Sequence, residues 1–206
     1  MAQTDDSSFP ADASPDTAAR DLAWMNRVKE GDMEAFRELI EAHQYRVIGT
    51  ISKMLSDESE AEDLAQQVFI RVWRSAPRYE PTAKFTTWLY TITRNLVFNE
   101  LRRRKRHATQ PMLDPEDDRP AVQVADTTCK SPDATVLDSE MQEAIQKAID
   151  ELPETQRMAV ILRRYDDVSY EEIGEILKLS VPAVKSVLFR ARTELREKLQ
   201  KYLGGA

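Results

Sequence analysis

The sequence is poor in glycine, cysteine and histidine. Five glycines are spread over 206 residues, too few for Gly-rich phosphate loops or tightly turned β-structure. One cysteine, Cys129, excludes an intramolecular disulfide and a cysteine-based zinc site. The two histidines, His43 and His107, stand far apart with no second ligand near either, so neither a metal nor any other cofactor is predicted. No apolar run approaches the roughly 20 residues of a membrane-spanning helix, and no membrane insertion is predicted. Strand-like alternation and clear internal repeats are also missing. Scattered carboxylates, isolated histidines and one cysteine form no catalytic constellation, so the chain does not read as an enzyme. The first residues carry several aspartates and no apolar stretch, which is not a signal peptide. A cytoplasmic location is the corresponding expectation.

What the chain does have is charge, unevenly placed. Charged residues make up 32% and hydrophobic ones 41%, with a formal net charge of −7, as in a soluble helix-rich protein. Residues 1–21 read as a disordered acidic tail. Gly31-Asp32 punctuates the chain, with Asp32 as a helix N-cap. Phe36, Leu39, Ile40, Val47, Ile51 and Leu55 then recur at helical spacing. Ser56-Asp57 is a second start signal, followed by the stripe Ala61, Leu64, Ala65, Val68 and Val72. The opposite side of that helix shows Asp63, Gln66, Gln67, Ile70, Arg71 and Arg74. "APRYEPTAK" (76–84) is a loop. Thr86 or Thr87 can cap the next helix, which runs into "RRRKR" (102–106). Residues 109–135 contain four prolines and many aspartates without apolar period, and read as a flexible acidic linker. Helical pattern returns from Leu137, and Pro153 stops or restarts it. The predicted fold is all-α: two small helical domains, residues 22–108 and 136–206, joined by the acidic linker.

Near the end stands "SYEEIGEILKLSVPAVKSVLFRARTELR" (169–196). Ser169 and Glu172 form a capping box. Lys178-Leu179 is a short turn, Ser180 can cap the next helix, and Pro182 occupies its first turn. Val184, Leu188, Ala191 and Leu195 make an apolar back. Pro182, Lys185, Ser186, Phe189 and Arg190 lie on another face, with Arg192 and Arg196 beside it. Two helices, a short turn and a basic second helix describe a helix-turn-helix that enters a major groove. A plain amphipathic hairpin with solvated Lys and Arg fits the same pattern, because basic residues also suit a helix C-terminus.

A second basic surface precedes the linker. Arg94, Asn95, Asn99, Arg102 and Arg103 lie on a helix that also bears Trp88 and Tyr90, and the loop before it offers Arg78, Tyr79 and Lys84. Cations follow a phosphate backbone, while amides and rings meet unstacked bases. Trp88 and Phe85 also fit a hydrophobic core, and "RRRKR" also fits a solvated helix end. His43 falls on the apolar side of its helix and reads as packed; Cys129 reads as a passive thiol.

The stretches "AEDLAQQVFIRVWR" (61–74), "FTTWLYTITRNLVFNELRRRKR" (85–106) and "ELPETQRMAVILRRYDDVSYEEIGEILKLSVPAVKSVLFRARTELREKL" (151–199) resemble the extracytoplasmic-function class of bacterial RNA polymerase sigma factors. The resemblance implies a dissociable promoter-recognition subunit of core RNA polymerase, bound through the β′ clamp helices and the β flap. It implies that Asp63, Gln66, Gln67, Ile70 and Arg71 face the clamp. Residues 78–99 would open and read the −10 element, with Asn95 and Asn99 at family positions. The helix bearing Pro182, Lys185, Ser186, Phe189, Arg190 and Arg192 would read the −35 element. An anti-sigma partner and a stress or envelope-signal response are implied too. The acidic linker would mimic nucleic acid near the active centre or serve as a soluble tether. Two departures stand out: Gln67 where the family often has an acid, and Val187 where it often has a base.

A stand-alone helix-turn-helix regulator would need neither the Asp63–Gln66 surface nor the "RRRKR" helix. A sigma mimic that sequesters an anti-sigma factor would have no reason to keep basic DNA residues. Because negative charge sits in the tail and linker, the free chain is predicted to bind promoter DNA weakly without polymerase. A gel shift showing tight, specific binding by the isolated protein contradicts this.

Overall fold

The computed structural model describes residues 15–109 and 132–203. Within them lie eight α-helices: α1 (Pro15–Lys29), α2 (Met33–Leu55), α3 (Glu58–Ser75), α4 (Phe85–Thr109), α5 (Pro132–Asp150), α6 (Glu154–Arg164), α7 (Tyr170–Leu177) and α8 (Val181–Leu203). A 3₁₀ turn at Ala76–Arg78 follows α3. The tail through residue 14, residues 110–131 of the linker and Cys129 lie outside the described residues.

Helix starts are set by short polar side chains. Asp32 accepts hydrogen bonds from the backbone N–H groups of Glu34 and Ala35 at 2.9 and 3.1 Å and ion-pairs with Arg27 at 2.8 Å. The Ala35 N–H above all, then Arg27, holds its carboxyl below the usual carboxylate value. Gly31 just before it takes φ +90°, a conformation that favours glycine. Ser56 ends α2 in the left-handed region and Asp57 caps α3. The α3 stripe, Ala61, Leu64, Ala65, Val68 and Val72, is buried against α2 and α4.

Three boundaries differ from the sequence expectation. Helix α4 begins at Phe85, ahead of Thr86 and Thr87. The Trp88 N–H already reaches the Lys84 carbonyl at 3.2 Å, while Thr87 is buried. Helix α5 begins at Pro132, inside the segment read as linker. Helix α1 begins at Pro15, so residues 15–21 are helix and not a disordered tail. The reason is on one face of α1: Thr17, Asp21, Met25 and Val28 are all buried at spacings of four, four and three. A carboxylate at the second of these positions masks the apolar period. Asp21 is 1% exposed, and its Oδ1 lies 3.1 Å from Nε2 of the equally enclosed His43. The His43 ring packs on Phe85, centroids 5.3 Å apart.

The second group of helices is built around local caps. Pro153 takes the N-cap position of α6. Arg157 from the first turn of α6 turns back to the Asp150 and Leu152 carbonyls at the end of α5. Ser169 and Glu172 form a complete capping box at α7. Lys178 ends α7 with φ +58°, and the Leu179 N–H donates to the Gly174 carbonyl at 2.8 Å.

The two groups of helices meet along a seam. Helix α7 packs on α4, and α6 packs on α2, so one apolar cluster runs through both groups. Asp166, in the α6–α7 connection, accepts a hydrogen bond from Thr50 Oγ1 on α2 at 2.8 Å. The Tyr90 phenol on α4 faces the same carboxylate. Burial pushes the Asp166 carboxyl up, against the opposing pull of Thr50, Tyr90, Arg46 and Lys53. Burial, then the nearness of Asp166, raises the Tyr90 phenol well above its ordinary value.

Gly174 tests how tightly the α7–α8 turn is closed. A Cβ there would sit 2.8 Å from the Leu179 carbonyl oxygen and 3.8 Å from Val184 Cγ2. Glycine to alanine inside a helix ordinarily stabilises, by about 0.5–1 kcal/mol. Here the close backbone approach reverses the sign. Gly174→Ala is expected to destabilise the chain by about 1–3 kcal/mol, read as a lowered midpoint in urea unfolding followed by circular dichroism.

Candidate nucleic-acid interface

The front of α8 is the simplest surface in the molecule. Val184, Leu188 and Ala191 are at most 2% exposed, whereas Pro182, Lys185, Ser186, Phe189, Arg190 and Arg192 are exposed. Leu195, placed with the buried stripe by its spacing, is only partly buried. The Ala183 N–H reaches Ser180 Oγ at 3.4 Å, so the first turn starts at a serine and leads directly into this face. Lys185, Ser186, Phe189 and Arg190 line one shallow depression. Phe189 is 70% exposed; a phenyl ring gains nothing in water and offers an apolar contact of the kind a thymine methyl group accepts. Val187 is 7% exposed. The missing base at that position therefore lies on the buried side of the helix, where Val187 contributes to the core.

The surface before the linker is less open. Arg78, Asn99 and Arg102 are exposed. Arg94 and Asn95 are partly buried and bonded to each other, Nη1 to Oδ1, at 2.5 Å. Arg94 also lies over the Phe98 ring at 5.3 Å, and burial, then Arg102, lowers its guanidinium value. Arg103 is engaged by Glu100 at 2.8 Å and Glu60 at 3.6 Å. Arg104 pairs with Glu60 and donates to the Leu55 carbonyl. Two cations of "RRRKR" thus tie α4 to α3, a use of these charges that neither a DNA track nor a solvated end describes.

Tyr79 does not stand where a base platform needs it. It is 4% exposed, with its ring edge-on to Trp88 at 4.9 Å and to Phe85 at 6.4 Å. Its carbonyl accepts from Lys29 Nζ at 3.0 Å. The cause is the 3₁₀ turn just before it, which carries the chain back over the aromatic group. Lys84, from the same loop, is ion-paired with Glu172 of α7 at 2.9 Å.

Helix α3 presents a third surface. Asp63, Gln66, Gln67, Ile70 and Arg71 are all exposed on the side away from its buried stripe. Ile70 is 49% exposed, an apolar side chain ringed by polar ones, which is the composition of a protein contact. Asp166 and Thr50 escaped the sequence reading, and Tyr90 entered it only as a ring on the basic helix. Thr50 and Asp166 are 116 positions apart, and nothing local marks either.

Residues 39–107 match the Sigma-70 region 2 family, and residues 142–195 match the Sigma-70 region 4 family. The RNA polymerase sigma-H factor of Pseudomonas aeruginosa is 33% identical over 91% of this chain and 97% of its own length. The ECF RNA polymerase sigma factor SigW of Bacillus subtilis is also 33% identical, over 85% of this chain and 95% of its own. The chain belongs to the ECF sigma factors. This sigma factor shares its fold with CnrH, solved in complex with the cytosolic domain of CnrY, at a TM-score of 0.66 and 20% identity over 88% of this chain and 98% of that one. It shares it also with the sigma factor RpoE of Bartonella quintana, solved with the anti-sigma factor NepR, at 0.61 and 23% over 82% and 98%. The region 2 match falls within α2–α4 and the region 4 match within α5–α8. Among the described residues of the sigma factor, no helix is long and apolar enough to cross a membrane.

The α3 surface generates a direct test. Asp63→Arg reverses the charge of an exposed side chain that no buried contact uses, so the fold should survive. Its expected effect is weaker capture of core polymerase, by about 1–3 kcal/mol if the carboxylate meets a cation there. Undiminished recovery of core in a pull-down, with normal helicity, removes Asp63 from the interface.

Proposed function

We propose that this sigma factor docks on core RNA polymerase through the exposed side of α3, reads the −10 element with region 2, and reads the −35 element with the front of α8. The observation that carries this reading is the division of α8 itself. Val184, Leu188 and Ala191 on one side are buried where α5, α6 and α7 pack on the helix, and the other side gathers Lys185, Ser186, Phe189 and Arg190 without an acidic neighbour among them. Hydroxyl, cations and ring together supply both phosphate positioning and base-edge contacts.

In region 2 the proposed −10 contacts are Arg78, Lys84, Arg94, Asn95, Asn99, Arg102 and Arg103. Tyr79 supports them from the core and does not touch DNA in the observed arrangement. Asp63, Gln66, Gln67, Ile70 and Arg71 face the β′ clamp helices, and region 4 reaches the β flap. The activity belongs in the cytoplasm, where polymerase and promoter are. Control by an anti-sigma factor fits a fold shared with a sigma factor crystallised on one, and the exposed apolar side chains Tyr45, Ile70 and Met141 offer it contact area. A stress or envelope signal would act through that partner.

Run-off transcription with purified core polymerase, with and without this protein, on a promoter library tests the reading. Defined start sites that depend on the protein are expected. Lys185→Ala and Arg190→Ala should each weaken −35 recognition by about 1–3 kcal/mol where the side chain meets a base edge. Unchanged promoter selectivity in both variants removes α8 as the reading helix.

A further inference from the structure

Helix α1 precedes the region 2 match, which begins at residue 39, yet it packs on the 3₁₀ turn Ala76–Arg78 that opens the loop before α4. Lys29, in the last turn of α1, is exposed, and its Nζ donates to the carbonyl oxygen of Tyr79 at 3.0 Å, 50 positions away in the chain. A lysine at a helix C-terminus already suits the macrodipole without any further partner. This one pairs with no carboxylate among the described residues and spends its charge on a single distant carbonyl. Its base is rigid. Met25 and Val28 are buried, the Gly31 N–H donates to the Val28 carbonyl at 3.0 Å, and Arg27 Nε donates to Asp32 Oδ2 at 2.9 Å. The same helix also reaches the other end of Tyr79. Burial first, and then the Asp21 carboxylate about two turns back along α1, push the Tyr79 phenol up.

The carbonyl that Lys29 holds sits at a pivot of the loop. Upstream, the Tyr79 N–H closes the 3₁₀ turn on the Ala76 carbonyl at 3.0 Å, and the Tyr79 ring is packed against Phe85 and Trp88. Downstream, the Pro81 ring fixes its own φ and keeps Glu80 out of the helical region. The Thr82 N–H donates to the Glu80 carbonyl at 2.8 Å, a three-residue turn centred on Pro81. Between these two restrained pieces lies the Tyr79–Glu80 peptide, whose plane turns about ψ of Tyr79 and φ of Glu80. Tyr79 takes ψ 129°, which directs its carbonyl to α1. Arg78 and Lys84 stand on either side of this peptide, so its plane sets the direction of one against the other. A hydrogen bond from a charged donor is stronger than one from a neutral donor, and here it acts on the backbone where a buried ring alone would leave the peptide free to turn.

We propose that Lys29 is a positioning residue for −10 recognition: through the Tyr79 carbonyl it fixes the Tyr79–Glu80 peptide and with it the presentation of the loop from Arg78 to Lys84. The inference rests on the reading of that loop as part of the −10 contact. Lys29 acts through the backbone and is not itself a DNA contact. A carbonyl accepts equally from an ammonium and a guanidinium, so Lys29→Arg keeps the device, whereas Lys29→Met keeps the stem and the helix preference and removes the donor.

The test assembles full-length wild type, Lys29→Met and Lys29→Arg with core polymerase. Run-off transcription is measured on two libraries made from a promoter that the wild type uses, one randomised in the −10 element and one in the −35 element. Lys29→Met should flatten the −10 preference by about tenfold, the weight of one lost base contact. Its −35 preference, its capture of core and its urea midpoint should stay at wild type, because the side chain is exposed. Lys29→Arg should restore the −10 preference. Amide hydrogen exchange of the unbound full-length chain gives a readout apart from DNA: the segment 79–83 should exchange faster in Lys29→Met than in wild type or Lys29→Arg. An unchanged −10 preference or unchanged exchange in Lys29→Met, a loss shared equally by both libraries, or an arginine that fails to restore the preference overturns the proposal. Arg78→Ala on the same libraries is the separate check on the loop. If it flattens the −10 preference and Lys29→Met does not, only the positioning role falls. If it leaves the −10 preference intact, the loop is no −10 contact, and the reading on which the proposal rests falls with it.

Discussion

The seam where α7 lies on α4 is the constraint on which the rest of the structure turns. The helix proposed to meet opened DNA is the same one that closes the hydrophobic core between the two halves. Its inner side, Leu89, Val97 and Thr93, is buried in region 2, and its neighbouring side accepts region 4. A helix so engaged can expose only a narrow strip to a third partner. The exposed residues of that strip, Asn99 and Arg102, lie toward its end, away from the Lys84 and Arg94 contacts.

Charge is handled accordingly. A chain with a formal net charge of −7 can meet DNA only where cations are kept apart from its acids. On the front of α8, from Lys185 to Arg190, no acid intervenes. Along α4 and the loop entering it, cations and acids are not kept apart: Arg103 and Arg104 brace α3, while Lys84 and Lys105 pair with region 4. The difference between the two faces follows from their neighbours. The front of α8 points away from α6 and α7, which cover its back. Helix α4 is surrounded by α2, α3 and α7.

The parts of this fold that were legible in the sequence are those written by neighbours in the chain. The capping box at Ser169 and Glu172, the Asp32 and Asp57 caps, the apolar back of α8 and the exposed side of α3 all depend on residues within a turn or two. The Asp166–Thr50 bond, the Lys84–Glu172 pair and the covering of Arg94 depend on how two distant segments pack, and short-range pattern carries no trace of that. Tyr79 was misplaced because a tyrosine beside an arginine and a lysine in a loop has the composition of a nucleic-acid contact. A 3₁₀ turn of three residues decided instead that its ring joins Phe85 and Trp88. Val187 is the converse case: a departure from the family pattern that looked like a lost contact is explained by the inward direction of its side chain.

Asp21 shows how far such effects reach. It sits where a casual trimming of the acidic leader would cut, ahead of the family match that begins at residue 39. A shortened version begun one residue later would remove the carboxylate that His43 faces and strip α1 of its first two turns. An imidazole would be left enclosed beside Phe85 with nothing opposite it. Such a shortened protein would report on a damaged foundation, and any loss of transcription it showed would say nothing about the acidic leader.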